Sequence, residues 1–240
     1  NVISGNDSSG VAVELGRGHR IHSNVIGLRR NLGGAVPNLK HGVHLFETSD
    51  GDVAANIIAA NGVHGIWIEG AASDSTRILR NIIGTEPATL PDFGNGRDGI
   101  RIEGSDGPGP FGTIVGGAPV DGNVIFFNGE AGVRVLKGET HVIRSNSMYR
   151  NERLGIDLLG PGVTPNDPGD EDNGPNDFLN YPVLTRAGID TATSTIRIRG
   201  VMASRPLMSF TIDFYGNPEC DPEGFGEGRT PIGSVDVMTG

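Results

Sequence analysis

A short pattern of one polar and two apolar residues recurs along the first 160 residues of the chain. Each copy is an Asn followed by two mostly aliphatic residues. The copies start at Asn1, Asn24, Asn56, Asn81, Asn123 and, in a degenerate form, Asn146. The shortest spacing, from Asn1 to Asn24 and again from Asn123 to Asn146, is 23 residues. Repetition at this period indicates one structural unit stacked on copies of itself.

A second pattern follows each of these Asn residues and reads Gly, β-branched residue, any residue, aliphatic residue. It starts at Gly10, Gly42, Gly65, Gly99, Gly132 and Gly155. Two apolar residues flank a variable one, which predicts a β-strand with one buried face, because a helix would repeat every 3.6 residues. The variable, outward position is occupied by Ala12, His44, Trp67, Arg101, Arg134 and Asp157.

A third short strand is predicted just before several of the repeated Asn residues. Examples are residues 20–22, 76–79 and 113–115. Three strands per turn, each pairing in parallel with its equivalent one turn away, describe a β-helix of about six coils. Two coils carry extra residues, between Asn24 and Gly42 and between Asn81 and Gly99. We expect the repeated Asn side chains to form a hydrogen-bonded ladder, which is a structural role.

On these two signatures, residues 1–160 resemble the right-handed parallel β-helix repeat proteins. That superfamily includes pectate lyases, polygalacturonases and many large secreted proteins. The resemblance implies an all-β solenoid and a secreted or cell-surface location in a bacterium or archaeon. It says little about activity, because one solenoid carries many functions. The repeat is already in phase at Asn1, which predicts that this segment belongs to a longer protein.

The repeat stops after Leu158, and the chain changes character twice. Residues 161–185 form an acidic, Gly- and Pro-rich joint whose apolar end is expected to cap the solenoid. Residues 186–240 contain three alternating stretches at 194–199, 208–215 and 232–237, which predict strands of a partial, antiparallel β-sandwich-like module. This order of solenoid, joint and sheet module, together with the sequence of residues 214–221, resembles large bacterial secreted β-helix proteins that carry a C-terminal sheet module.

The joint holds the best candidate for a metal site. It concentrates hard oxygen ligands of the kind that Ca²⁺ prefers. The candidate ligands are Asp167, Asp170, Asp172, Asn173 and Asp177. The spacing does not match an EF-hand, because Gly174 stands where a third ligand would be needed. The alternative is a solvated linker in which these side chains cap turns.

Candidate catalytic residues are few. Glu14, Glu47, Glu69 and Glu103 follow the Gly strands at similar offsets and are predicted to form an acidic row at one corner, either catalytic or merely solubilising. The outward positions of the strands offer no carboxylate pair of the kind that glycoside hydrolysis needs. The six His residues are scattered and are expected to lie on the surface. Trp67, facing outward, is a candidate sugar-stacking platform or interface anchor.

Composition and net charge limit the classes of molecule that the protein is expected to bind. The formal net charge of −10 argues against nucleic acid and other polyanions. No apolar run approaches the length needed to cross a bilayer. Aromatic residues are only 5%, which fits short strands and tight turns better than a core of large rings. Cys220 is the single Cys, so no disulfide forms within these residues.

Two functions remain open. The first is a non-catalytic extracellular or cell-surface scaffold that requires no cofactor and associates through the open ends of the solenoid, head to tail, into a filament. The second, implied by the resemblance and kept open by the Glu row, is a polysaccharide lyase or glycoside hydrolase that acts on uronate glycans. A carbohydrate is therefore the expected partner in the second case.

Overall fold

A computed structural model describes residues 1–105, 109–221 and 224–240. The fold is all-β, and three parallel sheets build a β-helix as predicted. Sheet A consists of β1 (Val2–Ile3), β4 (Val25–Ile26), β7 (Ile57–Ile58), β10 (Ile82–Ile83), β13 (Val124–Phe126) and β16 (Ser147–Tyr149). Sheet B consists of β2 (Val11–Arg17), β5 (Val43–Ser49), β8 (Ile66–Glu69), β11 (Ile100–Glu103), β14 (Val133–Val135) and β17 (Ile156–Leu158). Sheet C consists of β3 (Arg20–His22), β6 (Asp52–Ala54), β9 (Arg77–Leu79), β12 (Ile114–Gly116) and β15 (Val142–Arg144).

The core is a stack of aliphatic side chains inside the three sheets. In sheet B, Ile66 pairs with Ile100, which in turn pairs with Val133, so that equivalent residues lie above one another. All three are fully buried. Each buried aliphatic side chain contributes roughly 1.5–3 kcal/mol. The repeat therefore stabilises the fold through contacts between neighbouring coils.

The repeated Asn residues form the predicted ladder beside sheet A. Asn56 Nδ2 and its backbone N–H both donate to Asn81 Oδ1, each at 3.0 Å, and Asn81 repeats this toward Asn123. The ladder runs from Asn1 to Asn146 in the same direction throughout. Each rung satisfies two donors in a buried corner, where an unpaired polar group would cost about 1–3 kcal/mol.

A second Asn ladder lies at the corner between sheets A and B and was missed in the sequence. It comprises Asn6, Asn38, Asn61, Asn95, Asn128 and Asn151. Its geometry repeats that of the first, since Asn128 N and Nδ2 donate to Asn151 Oδ1 at 3.0 and 2.9 Å. The corner is tight: Gly27, at φ +87°, would place a Cβ atom 1.9 Å from the carbonyl oxygen of Ala59.

The extra residues of two coils form loops between sheet A and the second ladder. In the second coil, Leu28 and Ala35 form an antiparallel bridge at the base of the loop. In the fourth coil, the loop after β10 closes when Phe93 N donates to Gly84 O at 3.1 Å. The insertions thus leave the stacked strands in register.

The C-terminal part consists of two antiparallel hairpins. They are β18 (Val183–Asp190) with β19 (Thr195–Val201), and β20 (Ser209–Gly216) with β21 (Thr230–Met238). Two short 3₁₀ helices, Pro119–Asp121 and Pro175–Phe178, lie in connecting segments. The strand β18 was not predicted. The hairpins face each other across a cleft of about 520 Å³, whose lining includes the apolar residues Leu184, Ile198 and Phe214.

The second hairpin docks on the last coil of the solenoid. Arg144 pairs with Asp213 through two contacts, Nε to Oδ2 at 3.0 Å and Nη2 to Oδ1 at 2.5 Å. The carboxylate of Glu227 accepts from Asn151 Nδ2 at 2.5 Å and from its backbone N–H, so it occupies the place of the next Asn in the second ladder. Burial raises the pKa of Glu227 to about 7, although the hydrogen bonds from Asn151 act in the opposite direction.

Candidate functional site

The outer face of sheet B gathers most of the chemistry-bearing side chains. Its outward positions are in register from coil to coil, so that His44 lies beside Trp67, Trp67 beside Arg101, and Arg134 beside Asp157. This order follows directly from the Gly signature, whose middle residue points away from the core. The result is a continuous line of aromatic and then charged groups parallel to the axis of the solenoid.

Four rings form a patch at one end of this line. The rings of His44 and Trp67 stack with centroids 4.4 Å apart and planes inclined by 10°. The rings of His41 and His64 stack at 5.2 Å, and His41 lies 4.7 Å from Trp67. Trp67 is partly exposed, so the patch is a platform that a ligand can reach from solvent.

The expectation that all His residues lie on the surface was wrong for His41, His64 and His141, which are buried. Burial lowers the pKa of His41 to about 4 and that of His64 to about 2, and neighbouring cations add to both effects. Backbone N–H of His64 donates to Nδ1 of His41 at 3.4 Å. At neutral pH both rings are therefore uncharged members of the aromatic patch.

Beyond the rings, a network of buried charges crosses three coils. Arg134 Nη1 lies 3.4 Å from Asp98 Oδ1, and Arg134 Nη2 lies 3.2 Å from Asp157 Oδ2. Both carboxyl groups are fully buried, and this burial raises the pKa of each, against the opposing effect of Arg134. Arg101 Nη1 also lies 3.4 Å from Asp98 Oδ2.

The sequence prediction covered only the outward strand positions, where Asp157 is the single acidic residue, and Asp98 lies outside those positions. Asp98 was missed because it stands directly before Gly99, at a position that other coils fill with His41, His64 or Ala131. No acidic residue recurs in its row, so periodicity gave no signal for Asp98.

The four predicted Glu residues are only partly brought together. Glu14, Glu69 and Glu103 lie in one row, but Phe46 takes the place between Glu14 and Glu69. Glu47 is one residue further along, where its Oε2 accepts from Ala72 N at 2.8 Å. Glu69 Oε2 contacts His44 Nε2 at 2.9 Å and Glu103 Oε2 accepts from Arg101 Nε at 2.8 Å. A catalytic role for this row stays a prediction.

The opposite edge of sheet B carries a row in which every second coil contributes a basic residue, and we call it the basic row. Backbone hydrogen bonds place Lys40, Val63, Arg97, Glu130 and Arg153 on successive coils, since each N–H donates to the carbonyl of the residue before it in the row. Lys40, Arg97 and Arg153 are exposed. The charges of Lys40 and Arg97 contribute to the lowered pKa of His41, after burial and His44, so the basic row lies close to the aromatic patch.

The joint brings three of the five predicted metal ligands together. One carboxylate oxygen from each of Asp167, Asp170 and Asp172 lies within 4.8 Å of the others. Asp167 Oδ1 and Asp172 Oδ1 are buried and have no hydrogen-bond partner among the described residues. Asp177 does not belong to this group, and Asn173 directly follows Asp172. Asp170 also contacts the C-terminal module, because Ser204 Oγ donates to its Oδ2 and Arg205 Nε donates to its backbone oxygen.

Neither a scan against protein-family models nor a search of curated proteins finds a match for this chain. Within the described residues, none of the helices has the length and apolar character needed to span a bilayer. The fold itself, a parallel β-helix followed by small antiparallel sheets, rests on the strand pairing described above.

Proposed function

We propose that the protein is an extracellular or cell-surface β-solenoid scaffold that binds a linear polysaccharide along the outer face of sheet B. The observation that carries this proposal is the stacked pair of His44 and Trp67 on a partly exposed face. Each ring covers one face of the other, so the apolar surface open to a sugar ring is the uncovered remainder of the stack. Because equivalent positions recur on each coil, the face presents a long track rather than a single pocket.

The charges at the two edges of sheet B favour an acidic polysaccharide. Lys40, Arg97 and Arg153 recur on every second coil, and paired strands about 4.8 Å apart place these cations about 10 Å apart. This interval is close to the length of a disaccharide. The Glu residues of the opposite edge would repel the same ligand and so fix its position. The overall charge of −10 makes binding dependent on this local reversal of sign.

Affinity electrophoresis through a gel that contains a polyuronate, with a neutral glucan gel for comparison, tests the proposal. We expect the polyuronate to retard the protein. Trp67→Ala should abolish most of the retardation, and the triple variant Lys40→Gln, Arg97→Gln, Arg153→Gln should do the same. The matched control is Arg30→Gln, Arg186→Gln, Arg199→Gln, which removes three exposed cations elsewhere. Equal mobility of the two triple variants in the polyuronate gel would refute the proposed track.

A second function, polysaccharide cleavage, is favoured by one specific observation: Asp98 and Asp157 are buried carboxyl groups with raised pKa values that share Arg134. Perturbed carboxyl groups are common in active sites, but both are fully buried here, so acid or base catalysis would require the covering residues to move and admit the glycan. Incubation of the protein with uronate polysaccharides, followed by assays for new reducing ends and for unsaturated products, tests this function. Loss of product with Asp157→Asn would support it, whereas no product from the unaltered protein would exclude it for those substrates.

We also propose that Asp167, Asp170 and Asp172 bind Ca²⁺, with Asn173 as a further ligand. The two buried oxygens without hydrogen bonds support this, because unpaired buried acceptors are costly unless a cation satisfies them. Ca²⁺ should raise the unfolding temperature of the protein relative to a chelator. Asp172→Asn should remove this shift and Asp7→Asn, an exposed control, should keep it. A shift that is unchanged in Asp172→Asn would count against the site.

We also propose that the ends of the solenoid associate head to tail into a filament. Residues 227–229 already cover the last coil, since Gly228 O accepts from Met148 N at 2.8 Å. A head-to-tail contact would therefore involve the outer surface of the hairpins. Electron micrographs that contain only short, monodisperse rods would contradict it.

A further inference from the structure

A small pocket lies beside sheet A, where the hairpin module meets the solenoid. It has a volume of about 290 Å³. Its wall is formed by Leu90 of the fourth-coil loop and by the rings of Phe126, Phe127 and Tyr149. Arg150 and Arg229 complete it from two sides, one from the last coil and one from the module.

The two arginines share one aromatic ring. The guanidinium carbon of Arg229 lies 4.5 Å from the centroid of Tyr149, and that of Arg150 lies 5.3 Å from the same centroid. Neither guanidinium forms an ion pair or a side-chain hydrogen bond with any described residue. The nearby carboxylate of Glu227 is already held by Asn151. An anion in the pocket would give these guanidinium groups the charged partner that the described residues do not supply.

We propose that this pocket binds a carboxylate carried on a six-membered ring. Guanidinium groups present planar pairs of donors that match a carboxylate. The rings of Phe126 and Tyr149, with centroids 5.9 Å apart in an edge-to-face arrangement, supply an apolar wall for the ring that carries it. The volume is enough for a single ring and its substituents.

Two sources of this chemistry exist, an aromatic acid and a uronic acid, and they are distinguished by titration. Isothermal titration of the full chain at low ionic strength would use benzoate and glucuronate, with benzyl alcohol and glucose as neutral counterparts. We expect one of the acids to bind with 1:1 stoichiometry, and its neutral counterpart to bind at least tenfold more weakly. Equal binding of acid and neutral compound, or no binding of either acid, would overturn the proposal.

Variants locate the binding in the pocket. Arg150→Gln and Arg229→Gln should each weaken the acid at least tenfold. Arg186→Gln, which removes an exposed cation of β18, should leave the affinity unchanged, and an equal loss in this control would mean non-specific attraction. Because Arg229 lies in a docked segment, its replacement could disturb the fold, and Arg150→Lys serves as a second variant. It keeps the positive charge and the fold but removes the planar pair of guanidinium donors, so we expect intermediate affinity. The outcome is independent of whether sheet B binds a polysaccharide.

Discussion

Replacing Glu227 with Gln tests the idea that a carboxylate closes the second Asn ladder at the cost of pH sensitivity. Glu227 Oε1 and Oε2 accept hydrogen bonds from Asn151, and they occupy the position that an Asn Oδ1 occupies in the preceding rungs of the ladder. Burial raises the pKa of Glu227 from 4.5 to about 7. A carboxyl group with a raised pKa stabilises the docked state fully below its unfolded value, and this stability is lost as the pH rises through the folded value.

The expected magnitude follows from that interval. Each pKa unit corresponds to 1.36 kcal/mol, so the interval from 4.5 to about 7 is worth about 3 kcal/mol. Solvent screening of a partly enclosed group reduces this to about 2 kcal/mol. Gln resembles the protonated carboxyl group in shape and hydrogen bonding. We therefore expect Glu227→Gln to equal the unaltered protein near pH 4 and to exceed it by about 2 kcal/mol near pH 8.

Hydrogen exchange measures this locally. The amide of Met148 is protected by Gly228 O and that of Asn151 by Glu227, so both report the docking of this segment. In the unaltered protein their protection, corrected for intrinsic exchange, should fall between pH 5 and pH 8, and in Glu227→Gln it should not. The exposed Glu219→Gln is the matched control. If protection in the unaltered protein is independent of pH, or if Glu219→Gln behaves like Glu227→Gln, the reasoning is refuted.

Three further predictions concern the solenoid, each measured by urea unfolding. Asn81→Ala breaks the first ladder at its centre and leaves the donors of the preceding rung unpaired, so it should destabilise the protein by about 3 kcal/mol. Asn1→Ala, at the exposed first rung, should cost less than about 1 kcal/mol. Equal effects of the two variants would contradict the ladder. Ile66→Ala removes a fully buried side chain and should cost about 2–5 kcal/mol; a loss below about 1 kcal/mol would contradict close packing. Gly27→Ala meets the Ala59 carbonyl and should cost more than Gly18→Ala, which has positive φ but open space around it; the reverse order would disprove the tight corner.

The solenoid could be predicted because its stabilising contacts repeat. Most coils place the same residue type at equivalent positions, so the roles of Asn81 and Ile66 can be predicted from the residues at the same positions in other coils. The second ladder leaves an equally regular signal in the sequence, since Asn38 and Asn61 each stand four residues before a signature Gly. The strand β18 was missed because it crosses the predicted boundary between the joint, 161–185, and the module, 186–240.

The candidate site was predicted less well, because it depends on side chains that differ from coil to coil. Asp98 and Arg134 meet only through the stacking of coils, and no short motif links them. Glu227 lies 76 residues from Asn151, and only the docking of the hairpin reveals that it acts as a ladder residue. The burial of His41 and His64 depends equally on neighbours that belong to other coils.

The two Asn ladders also give the solenoid an electrical direction. Every amide donates toward the coil that follows and accepts from the coil that precedes, so the side-chain dipoles add along the axis in the way that peptide dipoles add in a helix. The last rung therefore presents donors, and its partial positive charge is matched by an acid, Glu227, where another amide would have continued the stack. A segment that caps such a solenoid at the end where the ladder amides present their N–H groups therefore has to supply hydrogen-bond acceptors.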